Sequence, residues 1–240
     1  MRLQVVPDEA SLALAAADVI CDAVRRRSDA VLALPTGITP IHAYVEVAER
    51  VARGAADLHE SAVYAVDEFA GATSATPGTN TVFYRDHLTF PLAALHVPDP
   101  ASDDPDAAVR EHARAIERSG GIDLCVLGIG VNGHVAFNEP GSARDSRARV
   151  VELAASSREA HAANFGSLDA VPDRGMTLGV ADLLAARSLL VLASGAHKAS
   201  ILAAAIEGPE TAAVPASWLR SHGDVTWLLD EAAASRLSRR

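Results

Sequence analysis

Apolar residues in this chain fall into two kinds of run. Short, nearly unbroken stretches such as Val31-Leu32-Ala33-Leu34 and Ile122-Asp123-Leu124-Cys125-Val126-Leu127 have the length of buried strands. Similar runs at 61–66, 189–193 and 225–229 predict three more strands. Between them lie segments with helical spacing, at 11–27, 40–53, 79–88, 106–119, 156–164, 176–186 and 196–207, and a terminal helix is expected after Asp230-Glu231. Arg25-Arg26-Arg27 suits the end of the first helix, and Gly120-Gly121 stops the fourth. The Pro- and Asp-rich stretch 98–105 and the polar stretch 141–149 read as loops. Strands alternating with helices predict an α/β fold: one domain over 1–240, with a mostly parallel sheet covered by helices on both faces.

Four strand ends carry chemistry, and open parallel sheets bind ligands at the carboxyl ends of their strands. In Pro35-Thr36-Gly37-Ile38-Thr39-Pro40, Thr39 suits an N-cap and Pro40 the first helical position. The free amides of a helix start and two threonine hydroxyls suit a phosphate, although an ordinary capped helix has the same composition. Asp67 and Glu68 close the next strand. Strand neighbours point to opposite faces, so only one of them can face a shared site and carry a proton to and from carbon. Either acid could instead cap a helix or hold a turn.

The third strand end, Gly128-Ile129-Gly130-Val131-Asn132-Gly133-His134, turns sharply on three glycines. The His134 imidazole can shuttle a proton between oxygens, with Glu139 or Asn132 to orient it. Gly128, Gly130 and Gly133 have dinucleotide-loop spacing, but Asn138-Glu139-Pro140-Gly141 would break the helix that such a site needs. No ribose-binding acid follows a clear second strand either, which argues against a nicotinamide site. At the fourth end, Ala193-Ser194-Gly195-Ala196-His197-Lys198, the lysine opens a helix where a cation opposes the dipole, and a bound anion would relieve the mismatch.

Composition narrows the partners. The net charge of −10 and the absence of a basic block longer than three arginines argue against nucleic acid and anionic membranes. Aromatics at 4% favour helices over an all-β design. Cys21 and Cys125 make neither a disulfide framework nor a metal spacing, and no signal peptide or membrane-length apolar run is evident. A reduced, cytoplasmic setting is expected.

Taken in order, these loops resemble the glucosamine-6-phosphate deaminase family, within a larger group that includes the 6-phosphogluconolactonases. Met176-Thr177-Leu178-Gly179-Val180 and Ala203-Ala204-Ala205-Ile206-Glu207-Gly208 extend the likeness, and Phe137-Asn138-Glu139-Pro140 resembles deaminases more than lactonases. The resemblance implies a Rossmann-like deaminase/isomerase fold. It also implies conversion of a 2-amino-2-deoxyhexose 6-phosphate to a ketose 6-phosphate and ammonia, with no metal or organic cofactor. His134 matches the ring-opening acid–base group, Glu139 its carboxylate partner, and Asp67 the base that moves a proton from C2 to C1. Thr36, Gly37, Ile38, Thr39 and Lys198 match the phosphate pocket. The partner is then a small phosphorylated amino sugar, and a homo-oligomer is compatible with the family.

Three departures stand out. Asn132 occupies a position where the family usually has Asp, so the resemblance implies a less basic His134 with more of the burden on Glu139. Ile38 replaces a usual Gly or Ser and would be strained if that position required a positive φ. The stretch His161-Ala162-Ala163-Asn164 lacks the arginine that deaminases use as a phosphate clamp. Asn132 and Pro215-Ala216-Ser217-Trp218-Leu219 look like the galactosamine-6-phosphate branch, which leaves the sugar epimer open. Val151 stands where a lysine is expected in allosteric hexamers, against regulation by an acetylated amino sugar. The polar stretch 142–149, with the region to Asn164, is expected to act as a lid. Two rivals remain: a 6-phosphogluconolactonase-type hydrolase, which needs no C2 base, and a non-catalytic sugar-phosphate sensor.

Overall fold

In a computed structural model describing residues 1–238, seven strands form the main sheet in the order β1-β10-β9-β6-β2-β3-β5. They are β1 (Arg2–Val6), β2 (Val31–Leu34), β3 (Ala62–Ala65), β5 (Ala94–His96), β6 (Leu124–Gly128), β9 (Ser188–Ala193) and β10 (Val225–Asp230). Every pairing among them is parallel. The central strands are apolar on both faces because both faces are covered. Leu32, Leu124, Val126, Leu190, Leu192 and Leu228 share a core with α1 (Glu9–Arg26) and α2 (Ile38–Ala52). Their neighbours Ala33, Cys125, Leu127, Val191 and Trp227 face the other core, against α4 (Pro105–Arg118) and α7 (Ala199–Ile206).

A second, antiparallel sheet of three short strands was not foreseen. It joins β4 (Asp67–Phe69), β8 (Arg174–Thr177) and β7 (Arg149–Glu152). This overturns the helix expected at 176–186. Met176 and Thr177 pair with β4 and β7, and only α6 (Val180–Leu184) is helical there. Gly175 makes the pairing feasible, since a Cβ at that position would overlap the Phe137 ring. The stretch after Gly141 is tied to its surroundings at several points. Arg149 opens β7 and holds Asn138 Oδ1 at 3.0 Å and Ser142 Oγ at 3.0 Å, while Ser146 O accepts the Ala181 amide at 3.0 Å. The expected terminal helix is a short 3-10 turn, Ala233–Arg236. The helices α3 (Asn80–His87) and α5 (Ala155–Phe165) lie near their expected bounds.

The connectivity fixes where a ligand can enter. From β2 the chain proceeds to β3 and β5 on one side, and from β6 to β9 and β10 on the other. Strand order therefore reverses between β2 and β6, which leaves a crevice at their carboxyl ends. Among the described residues, no helix is long and apolar enough to cross a membrane.

Candidate active site

The four loops singled out in the sequence leave the carboxyl ends of β2, β3, β6 and β9, which are neighbours in the sheet. They therefore surround the crevice at the reversal point. A cavity of about 680 Å³, lined by Arg2, Asp22, Arg26 and Asp224 among others, uses the amino ends of β1, β9 and β10 instead. It holds none of the groups considered below.

After β2, the chain turns on Gly37, whose φ of 110° is open to glycine. Gly37, rather than Thr39, is the N-cap of α2, and Ile38 is its first helical residue. The expected capping role of Thr39 and Pro40 is corrected accordingly: the helix starts two residues early because glycine can make the turn. Gly37 offers no side chain, so the first-turn amides of α2 stay uncapped. Ile38 is unstrained, because the positive φ falls on Gly37, and its side chain is 78% exposed.

After β3, Asp67 and Glu68 have opposite duties, as strand alternation requires. The Glu68 carboxylate accepts from the amides of Phe69 (2.7 Å), Asn80 (3.0 Å) and Thr81 (2.7 Å), and from the Thr81 hydroxyl (2.7 Å). It thus caps α3 from below. Asp67 is buried and takes one side-chain bond, from Asn80 Nδ2 at 2.6 Å. Asn80 Oδ1 in turn accepts from the Thr36 hydroxyl at 3.0 Å, which links the first loop to the second. Burial, helped by the charge of Glu68, raises the Asp67 carboxyl to about 8 against the pull of Asn80. Burial also raises Glu68, and its hydrogen-bond donors oppose the rise.

After β6, the His134 ring lies over Gly130, where a Cβ would overlap the imidazole. His134 Nδ1 is 3.4 Å from Glu139 Oε2 and 3.2 Å from Ser157 Oγ, on α5. Glu139 Oε2 accepts from Asn132 Nδ2 at 2.8 Å, and Oε1 from the Ala154 amide at 3.2 Å. Burial pushes the Glu139 carboxyl up, but hydrogen bonds from His134, Ser157 and Asn132, with the charge of His134, outweigh it and leave it at about 2. Glu139 is therefore a fixed anion behind Nδ1, and among the described residues Nε2 has no hydrogen-bond partner. Asn132 does not touch the imidazole. Its Oδ1 accepts the His134 backbone amide at 3.1 Å while its amide group braces Glu139.

After β9, Lys198 stands in the 3-10 turn Ala196–Lys198 and donates to the Ile129 carbonyl at 2.7 Å, beside Gly130. Burial lowers its ammonium below the usual lysine range. The two halves of the site meet through the small sheet. Asp67 pairs with Thr177, whose hydroxyl accepts the Phe137 amide at 3.1 Å, and the Phe69 and Phe137 rings pack with centroids 5.1 Å apart. Thr39 and Ile38 join no other site residue through a side chain. Asn80 and Ser157, both central to this network, were not singled out in the sequence. Asn80 follows a capping Thr79 and Ser157 follows a second serine, so nothing local marks either one.

Residues 7–227 match the family described as glucosamine-6-phosphate isomerases/6-phosphogluconolactonase. The glucosamine-6-phosphate deaminase of Rhodopirellula baltica is 36% identical over 244 residues, covering 100% of this chain and 97% of its own. That of Beutenbergia cavernae is 39% identical over 242 residues, covering 99% and 93%. Among solved structures, a monomeric glucosamine-6-phosphate deaminase superposes with a TM-score of 0.95 at 32% identity, covering 98% of this chain and 100% of its own. The 6-phosphogluconolactonase of Trypanosoma brucei superposes with a TM-score of 0.76 at 20% identity, covering 99% and 98%, a likeness of fold.

Proposed function

The chain belongs to the glucosamine-6-phosphate isomerase/6-phosphogluconolactonase family, and from that premise we propose that it is an amino-sugar-6-phosphate deaminase acting as a single domain. The observation that carries this reading over the lactonase is the buried Asp67, which Asn80 links to Thr36 of the first loop and whose carboxyl is raised to about 8. Hydrolysis of a lactone has no use for a carbon base, whereas moving a proton from C2 to C1 needs one. Glucosamine 6-phosphate is the preferred substrate, in keeping with the names of the relatives. A cytoplasmic setting agrees with two free, buried cysteines.

The phosphate sits on the uncapped amides of α2, with the hydroxyls of Thr36 and Thr39 and the ammonium of Lys198. Anchoring it presents the sugar to the other loops at little further entropic cost. Nε2 of His134 takes the proton of the anomeric hydroxyl and returns one to the ring oxygen, and Glu139 stabilises the imidazolium between the two transfers. The open aldehyde acidifies the C2 proton. Asp67 removes it, and the resulting enolamine is protonated at C1 by the same carboxyl. Water adds to the C2 imine and ammonia leaves, giving the ketose 6-phosphate. Each acid–base step of this kind contributes roughly 10²–10⁴-fold.

The test supplies glucosamine 6-phosphate, galactosamine 6-phosphate and 6-phosphogluconolactone separately, measuring ammonia, ketose phosphate and lactone loss. Equal ammonia and ketose from an amino sugar, abolished in Asp67→Asn, is the expected result. Lactone hydrolysis that survives Asp67→Asn, without ammonia from either sugar, would overturn it.

A further inference from the structure

The side chain of His161 lies between the two halves of the crevice and has no assigned task. It is four residues beyond Ser157 on α5, so the two share one face of that helix. Ser157 contacts His134 Nδ1 at 3.2 Å. One turn further on, the His161 ring meets Phe69 edge-on at 5.2 Å and Phe137 at 6.2 Å between centroids. Phe69 lies two residues after Asp67 on β4 and therefore on the same side of the strand. His161 thus has the His134–Glu139 pair on one flank and the Asp67 strand on the other. Among the described residues, neither ring nitrogen has a hydrogen-bond partner, and neither is sealed from solvent.

The geometry points to His161 as a specificity-determining residue: an uncharged imidazole in the crevice wall that hydrogen-bonds a sugar hydroxyl near the reacting carbons. This rests on the deaminase reading and deepens it. Burial, followed by the nearby charge of His134, lowers the His161 imidazole below the usual range, and Glu139 opposes this, so the ring can both donate and accept. A neutral ring is a poor phosphate ligand, and the phosphate cradle lies on α2 and at Lys198. Nor does α5 supply a cation in place of the missing clamp. The Arg158 guanidinium is turned to the carbonyls of Leu168 (3.2 Å) and Val171 (3.1 Å).

Three variants of the full chain separate recognition from packing: His161→Phe fills the aromatic slot, His161→Gln keeps a donor and an acceptor, and His161→Ala removes both. Steady-state ammonia release from glucosamine 6-phosphate is measured together with inhibition by inorganic phosphate. Losing one hydrogen bond should raise KM roughly tenfold in the Phe and Ala variants. The Gln variant should stay near wild type, and phosphate inhibition should be unchanged in all three. Wild-type KM in the Phe variant, or phosphate inhibition weakening in step with KM, would overturn the proposal. If the unaltered protein releases no ammonia, the deaminase reading fails. Calorimetric binding of glucosamine 6-phosphate to the same variants then tests His161 on its own.

Discussion

Replacing Asn80 with Ala would isolate what keeps Asp67 usable as a base. Burial and the charge of Glu68 drive its carboxyl up to about 8, and the Asn80 amide at 2.6 Å is the group that opposes them. A hydrogen bond to a charged acceptor contributes roughly 1.5–3 kcal/mol. At about 1.4 kcal/mol per pKa unit, its loss moves the carboxyl up by roughly one to two further units. Near pH 7 roughly a tenth of Asp67 is ionised in the native protein, against roughly 1% to 0.1% in the variant. The expected kcat/KM for ammonia release therefore falls by about 10- to 100-fold at pH 7, and the deficit narrows as pH rises toward 10. Folding should survive, because Glu68 still takes the backbone amides of residues 80 and 81, and Thr79 still caps α3. Initial rates between pH 6 and 10 decide the matter. An equal loss at pH 7 and pH 9.5, with the alkaline rise of the profile unmoved, would refute the reasoning.

Other consequences follow from the same geometry. Gly130→Ala should leave the melting temperature within a few degrees, since Gly130 has no positive φ, yet cost at least about 100-fold in activity by displacing the His134 ring; an active variant would mean that the ring does not need that seat. Asn132→Asp would set a carboxylate oxygen 2.8 Å from Glu139 Oε2, a repulsion of roughly 6 kcal/mol at an effective dielectric of 20. The pair should then retain a proton that Glu139 alone gives up near pH 2, and the acid limb of the pH–rate profile should shift; an unchanged limb would count against Glu139 as the imidazole's counter-charge. For Asp67 the linkage to stability runs against function. Unfolded Asp ionises near 3.8 while the folded carboxyl holds its proton to about 8, so native stability declines as pH rises between those values. Asp67→Asn should therefore gain in melting temperature over the parent by a margin that widens from pH 5 to pH 8, and a constant margin measured by calorimetry would contradict the raised carboxyl.

The main sheet was legible because its central strands are short apolar runs set between helical periods. Edge strands were harder: β1 spans five residues with only half its side chains covered, and no reading of the sequence marked it. The small antiparallel sheet was illegible for a physical reason. Its strands have three or four residues each, and Met176-Thr177 followed by Leu178 and Val180 has apolar spacing that fits a helix as well. Only pairing with β4 and β7 decides between the two. At the site, His134 and Glu139 were readable as partners from spacing beyond a glycine turn. The role of Asn132 was not, since its amide braces the carboxylate instead of meeting the ring. The start of α2 was misjudged because a glycine with positive φ can end a strand and open a helix without a side-chain cap.

Glu68 has an effect on its neighbour that reaches beyond holding up a helix. The amino end of α3 is a source of positive potential, which opposes the rise that burial imposes on an acid placed there. Glu68 occupies that end, where its donors oppose its burial, and its charge adds to the burial that raises Asp67. Two adjacent acids thereby acquire different temperaments, one bound into a helix start by four donors, the other held by a single side-chain amide and proton-hungry. Exchanging their facing by a one-residue slip of β4 would leave the same atoms present and the chemistry gone.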